Sequence, residues 1–528
     1  MNNLKRMSRR EFMKMAGIAS ISLAAGNLIS ACYPATIKFN PQLEQLASQP
    51  LDLHLLLKAI STEVQIFPGK PTQVRTYRAD FLEGNKQSLE IIPDSYLGPI
   101  MRVKRGQRIK IDFENEISQK SIIHWHGMHV PAEMDGHPKD VISRGEVYPY
   151  DFLVDNRAGT YWFHPHPHGK TGPQVYSGLA GLMIVSDDEE QAIGLPSGEF
   201  DIPLVIQDRT FDRNNQLVYP LNTMMASMQG FLGDQILVNG FPDYELFVDR
   251  GAYRLRILNG SNSRIYKLAW EDGTPITVIA TDGGLLQQPV ERPYVTLGPA
   301  ERVELWVDFS HWDSGAKLSL LSLGWYGNRG IGMGSMMRED FASISEETTF
   351  PILKVFIRDK THAKTVLPEK LSKIERLDEA DSVNRFNPRR WVFGMNRMAW
   401  TINGRTFEME NAANDEIVKL GTQETWIFEN ENSGMGMMGR MQMAHPVHVH
   451  GLQFQVIERQ VDRASERIWT SLAEGFIDEG WKDSVLVMPG EKVKVLLRFE
   501  DFAGLYLIHC HNLEHEDQGM MRNYRIDL

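Results

Sequence analysis

The chain has 528 residues, which is more than one hydrophobic core normally serves, so two to four domains are expected. Its formal net charge of −12 argues against nucleic acid as a partner and favours small cations as substrates. The chain has 2 cysteines, Cys32 and Cys510, in unrelated segments, so we expect no disulfide.

The N-terminus has the pattern of an export signal. Ser8 to Lys14 (SRREFMK) is similar to a twin-arginine motif and precedes an apolar run, 15–29, that is too short for a membrane span. We expect 1–31 to be the signal, 32–50 to be a linker and the protein to reach the periplasm. Cys32 follows a lipobox-like LISA, which predicts a lipid anchor to the membrane. The alternative is an ordinary cleavage site beside an incidental cysteine.

Short runs rich in β-branched and aromatic residues recur through the rest of the chain, as in VRTYRADFLEG and RVELWVDFS. Turn residues separate them, and no long amphipathic helical pattern stands out. The sequence therefore predicts an all-β protein of consecutive Greek-key β-sandwich domains. We place these domains at 51–190, 197–360 and 385–528, with the charged stretch 361–384 as a linker.

Four histidine clusters occur in the first and third predicted domains. They are HWHG (124–127), HPH (164–166), HPVHVHG (445–451) and HCH (509–511). Because side chains alternate between the two faces of a strand, histidines two residues apart share a face. By this rule eight imidazoles form one group, contributed by His124, His126, His164, His166, His448, His450, His509 and His511. Eight imidazoles in pairs suit several copper ions better than one structural zinc, which takes four ligands.

Cys510 lies between His509 and His511 and so faces the other side of its strand. His445 is an odd number of residues from His448 and should share that side with Cys510. Together with His515 and Met520 they make a set of two histidines, a cysteine and a methionine, which is typical of a blue-copper electron-transfer site. One tripeptide would then connect two metal centres.

The chain resembles the multicopper oxidases, most closely the bacterial copper-efflux (cuprous) oxidases and laccases. The resemblance rests on HWHGMHVPAEMDG, YWFHPHPHGKTGPQVYSGLAGLMIV, HPVHVHGLQF and HCHNLEHEDQGMM, and it covers the chain from about residue 52 onward. It implies three cupredoxin-like domains, four coppers per chain, and reduction of O2 to water with electrons from a reducing substrate. It places a type 1 copper on His445, Cys510, His515 and Met520, a type 2 copper on His124 and His448, and a type 3 pair on His126, His164, His166, His450, His509 and His511.

Two acidic residues match the family's proton relays. The reduction of O2 to water consumes protons, so carboxylates near the cluster are expected to deliver them. Asp135, nine residues after His126, and Glu516, next to His515, match the family's acids on two proton paths. The alternative for each is an ordinary solvated or hydrogen-bonded acid.

A methionine-rich segment just before His445 bears on the electron donor. Thioether sulfur prefers Cu(I), so the segment predicts a Cu(I)-handling site next to an exposed edge of His445; the alternative is flexible packing. The methionines are Met435, Met437, Met438, Met441 and Met443.

The family's cuprous oxidases often carry a long Met- and His-rich insertion early in the third domain, and that region is short here. The short region counts against strict specificity for Cu(I), so Fe(II) and phenols remain open as substrates. Cuprous oxidase, with a role in copper tolerance, still ranks first as the predicted function, ahead of ferroxidase and then phenol laccase. Some proteins of this fold are copper-free scaffolds of the cell envelope that lack the ligands, which this chain retains. We expect a monomer with no organic cofactor.

Overall fold

The computed structural model describes residues 49–219, 230–326, 344–362, 365–396, 399–431 and 443–528. Within these residues strands predominate, and they form six sheets that pair into three consecutive sandwiches. The predicted all-β class of three cupredoxin-like domains is confirmed. No helix of the described residues is long and apolar enough to cross a bilayer.

The first domain packs a four-stranded sheet, in the order β2-β1-β5-β7, against a five-stranded sheet, in the order β3-β4-β9-β8-β6. Alternation builds its core: in β1, Leu53, Leu55 and Leu57 are buried while the residues between them are partly exposed. Its elements are β1 Leu53–Val64, β2 Thr72–Gly84, β3 Leu89–Glu90, β4 Ile100–Lys104, β5 Arg108–Asn115, β6 Ile123–His126, β7 Val147–Leu153, β8 Gly159–Pro165, α1 Thr171–Tyr176, β9 Gly181–Ser186 and α2 Asp188–Ile193.

The second domain combines a seven-stranded sheet, β12-β11-β10-β14-β19-β16-β17, with a five-stranded sheet, β13-β21-β20-β15-β18. Every residue of β14 is buried, because that strand is covered on both faces. Its strands are β10 Asp201–Arg209, β11 Gln235–Val238, β12 Phe241–Pro242, β13 Glu245–Arg250, β14 Ala252–Asn259, β15 Tyr266–Trp270, β16 Ile276–Thr281, β17 Gly284–Arg292, β18 Val295–Leu297, β19 Arg302–Asp308, β20 Lys317–Ser322 and β21 Phe350–Thr361.

The third domain packs the sheet β23-β22-β25-β29-β27 against the sheet β24-β31-β30-β26-β28. Trp391, Trp426 and Phe428 are fully buried in its core, where each large side chain contributes about 1.5–3 kcal/mol. Its elements are β22 Arg389–Asn396, β23 Ala399–Ile402, β24 Ile417–Lys419, β25 Thr422–Asn430, β26 His445–Val449, β27 Phe454–Val461, α3 Glu466–Ala473, β28 Ser484–Val487, β29 Glu491–Phe499, β30 Gly504–Cys510, α4 Leu513–Asp517 and β31 Met521–Asp527.

Candidate metal centres

Strand register sorts the predicted ligands into two groups. In the third domain β26 pairs with β30, so that His448 lies opposite His509 and Val447 lies opposite Cys510. Since His445 is two residues before Val447, it is on the Cys510 side of the sheet. In the first domain β6 pairs with β8, and His124 lies opposite His164.

The eight histidines without cysteine meet between the first and third domains. All are at most 1% exposed. Their ring nitrogens form several compact groups that could hold a metal, including His124 with His448 and His450, His124 with His126 and His164, and His166 with His450 and His509. His511 reaches the same cluster, since its Nε2 lies 3.4 Å from Nε2 of His164.

The tautomers of these histidines show which nitrogens are available to a metal. His124 donates from Nδ1 to the carbonyl oxygen of Asp135, at 2.7 Å, and His448 donates from Nδ1 to that of Asp483, at 2.8 Å. Burial, and to a smaller extent the neighbouring imidazoles, lowers the pKa of both rings well below 6.5, so both are neutral. Each Nε2 therefore carries a lone pair, and the two Nε2 atoms face each other at 3.2 Å.

A second facing pair repeats this arrangement. His450 donates from Nδ1 to the carboxylate of Asp135, at 2.7 Å, and its Nε2 lies 3.0 Å from Nε2 of His509. Nδ1 of His509 is 3.1 Å from the carbonyl oxygen of Cys510. Lone pairs directed at one another repel unless a cation lies between them. The donor set therefore fits metal ions that prefer imidazole, of which copper is one.

The other centre is built around Cys510. Its Sγ lies 3.4 Å from Nδ1 of His445 and 3.7 Å from Nδ1 of His515, and all three side chains are buried. Burial raises the pKa of the Cys510 thiol, which a bound metal would reverse, because a coordinating thiol is deprotonated. Met520 is fully buried in the same core, and its carbonyl oxygen accepts a hydrogen bond from the peptide N–H of Cys510, at 3.0 Å.

Two features near Cys510 differ from the expectation or extend it. The predicted exposed edge of His445 is wrong: the residue is only 2% exposed. Trp400, which the sequence reasoning missed, covers the site, with its ring centroid 4.0 Å from that of His515 and 5.4 Å from that of His445. A donor must therefore pass electrons through atoms that surround His445.

Asp135 and Glu516 lie on two sides of the histidine cluster. Asp135 is fully buried, and burial raises its pKa well above the ordinary value. One of its carboxylate oxygens accepts from His450, while the other, Oδ1, has no hydrogen-bond partner among the described residues. Glu516 is 1% exposed, and its carboxylate lies 3.2 Å from Nδ1 of His509 and 3.5 Å from Nε2 of His166. Asp135 is therefore placed to hold a proton next to the cluster. The pKa of Glu516 is lowered instead, because the neighbouring imidazoles of His509 and His166 outweigh its burial, so Glu516 is placed as a proton acceptor.

Of the five predicted methionines, only Met443 lies in the part of the chain that the structure describes. It lines a cavity of about 30 Å³ together with Trp325, Glu346, Ala444 and Met488. Ala444 directly precedes His445, so the cavity is next to the Cys510 centre. Cys32, Met435, Met437, Met438 and Met441 lie outside the described residues.

Two further residues at the cluster were missed. Trp162 packs against the histidines, with its ring centroid 4.2 Å from that of His164. The period-two rule could have found it, because Trp162 is two residues before His164 on β8. The carboxylate of Asp483 lies 3.1 Å from Nε2 of His126. No pattern of spacing in the sequence connects Asp483 with His126.

Comparison with known proteins identifies the family. Models described as multicopper oxidase match residues 73–190 and 382–527. The chain belongs to the multicopper oxidase family. A multicopper oxidase of Staphylococcus aureus is 31% identical over 85% of this chain and 86% of its own length. The crystal structure of the McoA multicopper oxidase of Aquifex aeolicus superposes with a TM-score of 0.73, at 34% identity, covering 91% of this chain and 99% of that one.

Another relative is similar over almost the whole chain. The cell division protein FtsP of Edwardsiella tarda is 31% identical over 97% of both chains. Overall similarity therefore does not separate oxidase from division protein, and the site must do so. As a multicopper oxidase the chain is an oxidoreductase, and copper is the metal implied for the donor groups around Cys510 and between the histidines.

Proposed function

We propose that the protein is a cuprous oxidase that holds four coppers and takes part in copper tolerance. His445, Cys510, His515 and Met520 would hold the type 1 copper. The type 2 copper would bind His124 and His448, and the type 3 pair would bind His126, His164, His166, His450, His509 and His511. When bound, the coppers supply one-electron oxidation of the donor and the four-electron reduction of O2 to water. Asp135 and Glu516 would relay the protons that this reduction consumes.

The cavity beside His445 carries the choice of Cu(I) as the donor. Met443, Met488 and Glu346 are among the residues that line it; thioethers prefer Cu(I), and a carboxylate favours a cation. Its volume of about 30 Å³ suits a small ion, whereas sites for organic ligands usually span about 300–1,000 Å³. In sequence, the other predicted methionines directly precede Met443.

Two alternatives keep specific support. The Glu346 carboxylate is an oxygen ligand that also suits Fe(II), which makes ferroxidase the second candidate. The similarity to FtsP supports a copper-free scaffold of the cell envelope. The facing lone pairs of His124 and His448 oppose the scaffold, because a protein with no need of metal would gain nothing from burying them.

Oxygen uptake by the copper-loaded protein tests the proposal, with Cu(I), Fe(II) and a simple phenol as donors, each with and without added Cu(II). We expect fast uptake with Cu(I), and phenol oxidation only when Cu(II) is added. Fast Fe(II) oxidation, or phenol oxidation without Cu(II), would make the protein a ferroxidase or a laccase. No uptake with any donor would favour the scaffold.

A double variant tests the role of the cavity directly. Met443→Leu combined with Met488→Leu keeps volume while removing both thioethers, so packing should change little. We expect a higher KM for Cu(I) and an unchanged blue absorption. Met183→Leu is the matched control, because Met183 is fully buried in the first domain, away from the cavity. Equal effects in both variants would show that the cavity thioethers do not bind the donor.

Export by the twin-arginine route and lipidation of Cys32 stay predictions. Fractionation of cells that produce the chain and a Cys32→Ser variant tests both together. Retention of the parent in the membrane fraction, with release of the variant to the periplasm, is the expected result.

A further inference from the structure

We propose that Arg302 of the second domain is a positioning residue for the histidine cluster: through Asp483 it fixes which nitrogen of His126 faces the metal. The second domain supplies none of the predicted ligands, so a role there does not follow from the ligand assignment. The inference rests on the proposed role of His126 as a copper ligand.

Arg302 is fully buried and all five of its side-chain N–H groups have acceptors. Two of them bind Asp483, from Nη1 to Oδ1 at 2.7 Å and from Nη2 to Oδ2 at 2.5 Å. The Nε–H donates to the carbonyl oxygen of Thr160 on β8, at 2.9 Å, and the remaining two donate to the carbonyl oxygens of Ala300 and Asp282. One guanidinium thus joins all three domains.

Asp483 passes this constraint to His126. Both carboxylate oxygens already accept from Arg302, so toward a third group Oδ1 can only accept. Nε2 of His126 lies 3.1 Å from Oδ1 and 3.0 Å from Oγ of Ser484, and that hydroxyl donates its own proton to Oδ1 of Asp483 at 2.9 Å. Nε2 therefore faces two acceptors and must carry the proton. Nδ1 is left with the lone pair, and Nδ1 is the nitrogen that faces the cluster, 3.4 Å from Nε2 of His164.

This orientation is the reverse of that in neighbouring histidines. His124 and His448 donate outward from Nδ1 to carbonyl oxygens and present Nε2 to the cluster. Among the described residues no backbone carbonyl takes the outward proton of His126, and Oδ1 of Asp483, together with Oγ of Ser484, does so instead. A histidine that presents Nδ1 needs an acceptor on its far side, because the hydrogen bond at one nitrogen decides which nitrogen binds metal.

Gly127 shows that the local sequence makes room for this pair. A Cβ built at Gly127 would lie 2.3 Å from Oδ2 of Asp483 and 2.8 Å from Nη2 of Arg302. The φ of Gly127, +81°, is also one that residues with a side chain rarely adopt. The glycine after His126 therefore lets the carboxylate and the guanidinium pass directly behind the ligand strand.

Two substitutions test the proposal. Arg302→Lys keeps the positive charge but loses the bidentate hydrogen bond to Asp483. Asp483→Asn keeps the side-chain volume but loses one acceptor oxygen. We expect copper to leave the histidine cluster at about tenfold to hundredfold lower chelator concentration than in the parent. The blue absorption of the Cys510 centre should persist. Copper per chain during dialysis against a graded chelator, with the visible spectrum, measures both.

Arg254→Lys is the matched control. Arg254 is also buried in the second domain and also pairs with a carboxylate, Glu304, but it does not contact the histidines. It should lower the thermal midpoint without changing copper retention. Parental copper retention in both test variants, or equal loss in Arg254→Lys, would overturn the proposal. A parent that binds no copper at the cluster, yet is blue, would instead overturn the assignment of His126 as a ligand.

Discussion

Cys510 and Met520 are joined by a backbone hydrogen bond of 3.0 Å, from the peptide N–H of Cys510 to the carbonyl oxygen of Met520. The bond closes the loop that contains α4 and brings Met520 back beside the cysteine at the end of β30. His515 lies within this closed loop, and its Nδ1 points to the Cys510 sulfur at 3.7 Å. The backbone thus sets the spacing of three of the four predicted ligands.

Cys510→Ser should abolish both the blue colour and the oxidase activity, because a hydroxyl is a poor substitute for a thiolate toward copper. The histidine cluster faces the other side of β30 and should keep its copper. Visible absorption and copper per chain measure the two effects separately. A blue Cys510→Ser protein would show that the ligand assignment is wrong.

Met520→Leu should leave a blue, active protein with a raised reduction potential. A thioether binds copper only weakly, so its loss alters the potential more than the affinity. Leucine fills a similar volume in the buried core. Redox titration of the blue absorption measures the shift. An unchanged potential would count against Met520 as an axial ligand.

Asp135→Asn should slow the reduction of O2 by roughly 10²–10⁴-fold, the usual contribution of a positioned acid or base. The burial that raises the pKa of Asp135 favours its protonated form, which can release a proton, whereas an amide cannot. Turnover and the rate of reduction of the blue copper should be measured together, and only turnover should fall. Glu133→Gln, an exposed acid two residues away, is the control. Normal turnover in Asp135→Asn would remove it from the proton path.

The pair of His129 and Asp501 joins the first and third domains, with 2.9 Å between Nε2 and the carboxylate. Burial alone would lower the pKa of His129, but the hydrogen bonds to Asp501 and to the Gly451 carbonyl outweigh it and raise the pKa above 6.5. The hydrogen bond from His129 lowers the pKa of Asp501. The contribution of His129 to stability is therefore complete below about pH 6.5 and lost as the pH rises through its raised pKa.

His129→Gln should remove this loss of stability at alkaline pH. The thermal midpoint of parent and variant, measured from pH 5.5 to 9, should differ most at the acidic end and converge as the pH rises. His311→Gln, at an exposed histidine of the second domain, is the control and should follow the parent. A constant difference between parent and His129→Gln would show that the pair is not the titrating element.

The sorting of the histidines and Cys510 into two groups could be predicted because it depends on local periodicity. The odd spacing between His445 and His448 is enough to assign them to opposite faces of β26, and the strand pairing follows that assignment. The pairing of Arg302 with Asp483 could not be predicted, since 181 residues separate them and neither belongs to a repeated pattern. The burial of His445 was missed for a similar reason, because Trp400 reaches it from another strand.

The pairing of β26 with β30 has a consequence for how variants of this chain can arise. Because successive residues alternate between faces, a one-residue insertion within β26 between His445 and His448 would leave His445 and the later histidines on one and the same face. The Cys510 centre would lose His445 and the histidine cluster would gain a surplus imidazole, although no ligand residue had been substituted. The sorting of the ligands between the two centres therefore depends on the parity of their spacing as well as on their identity.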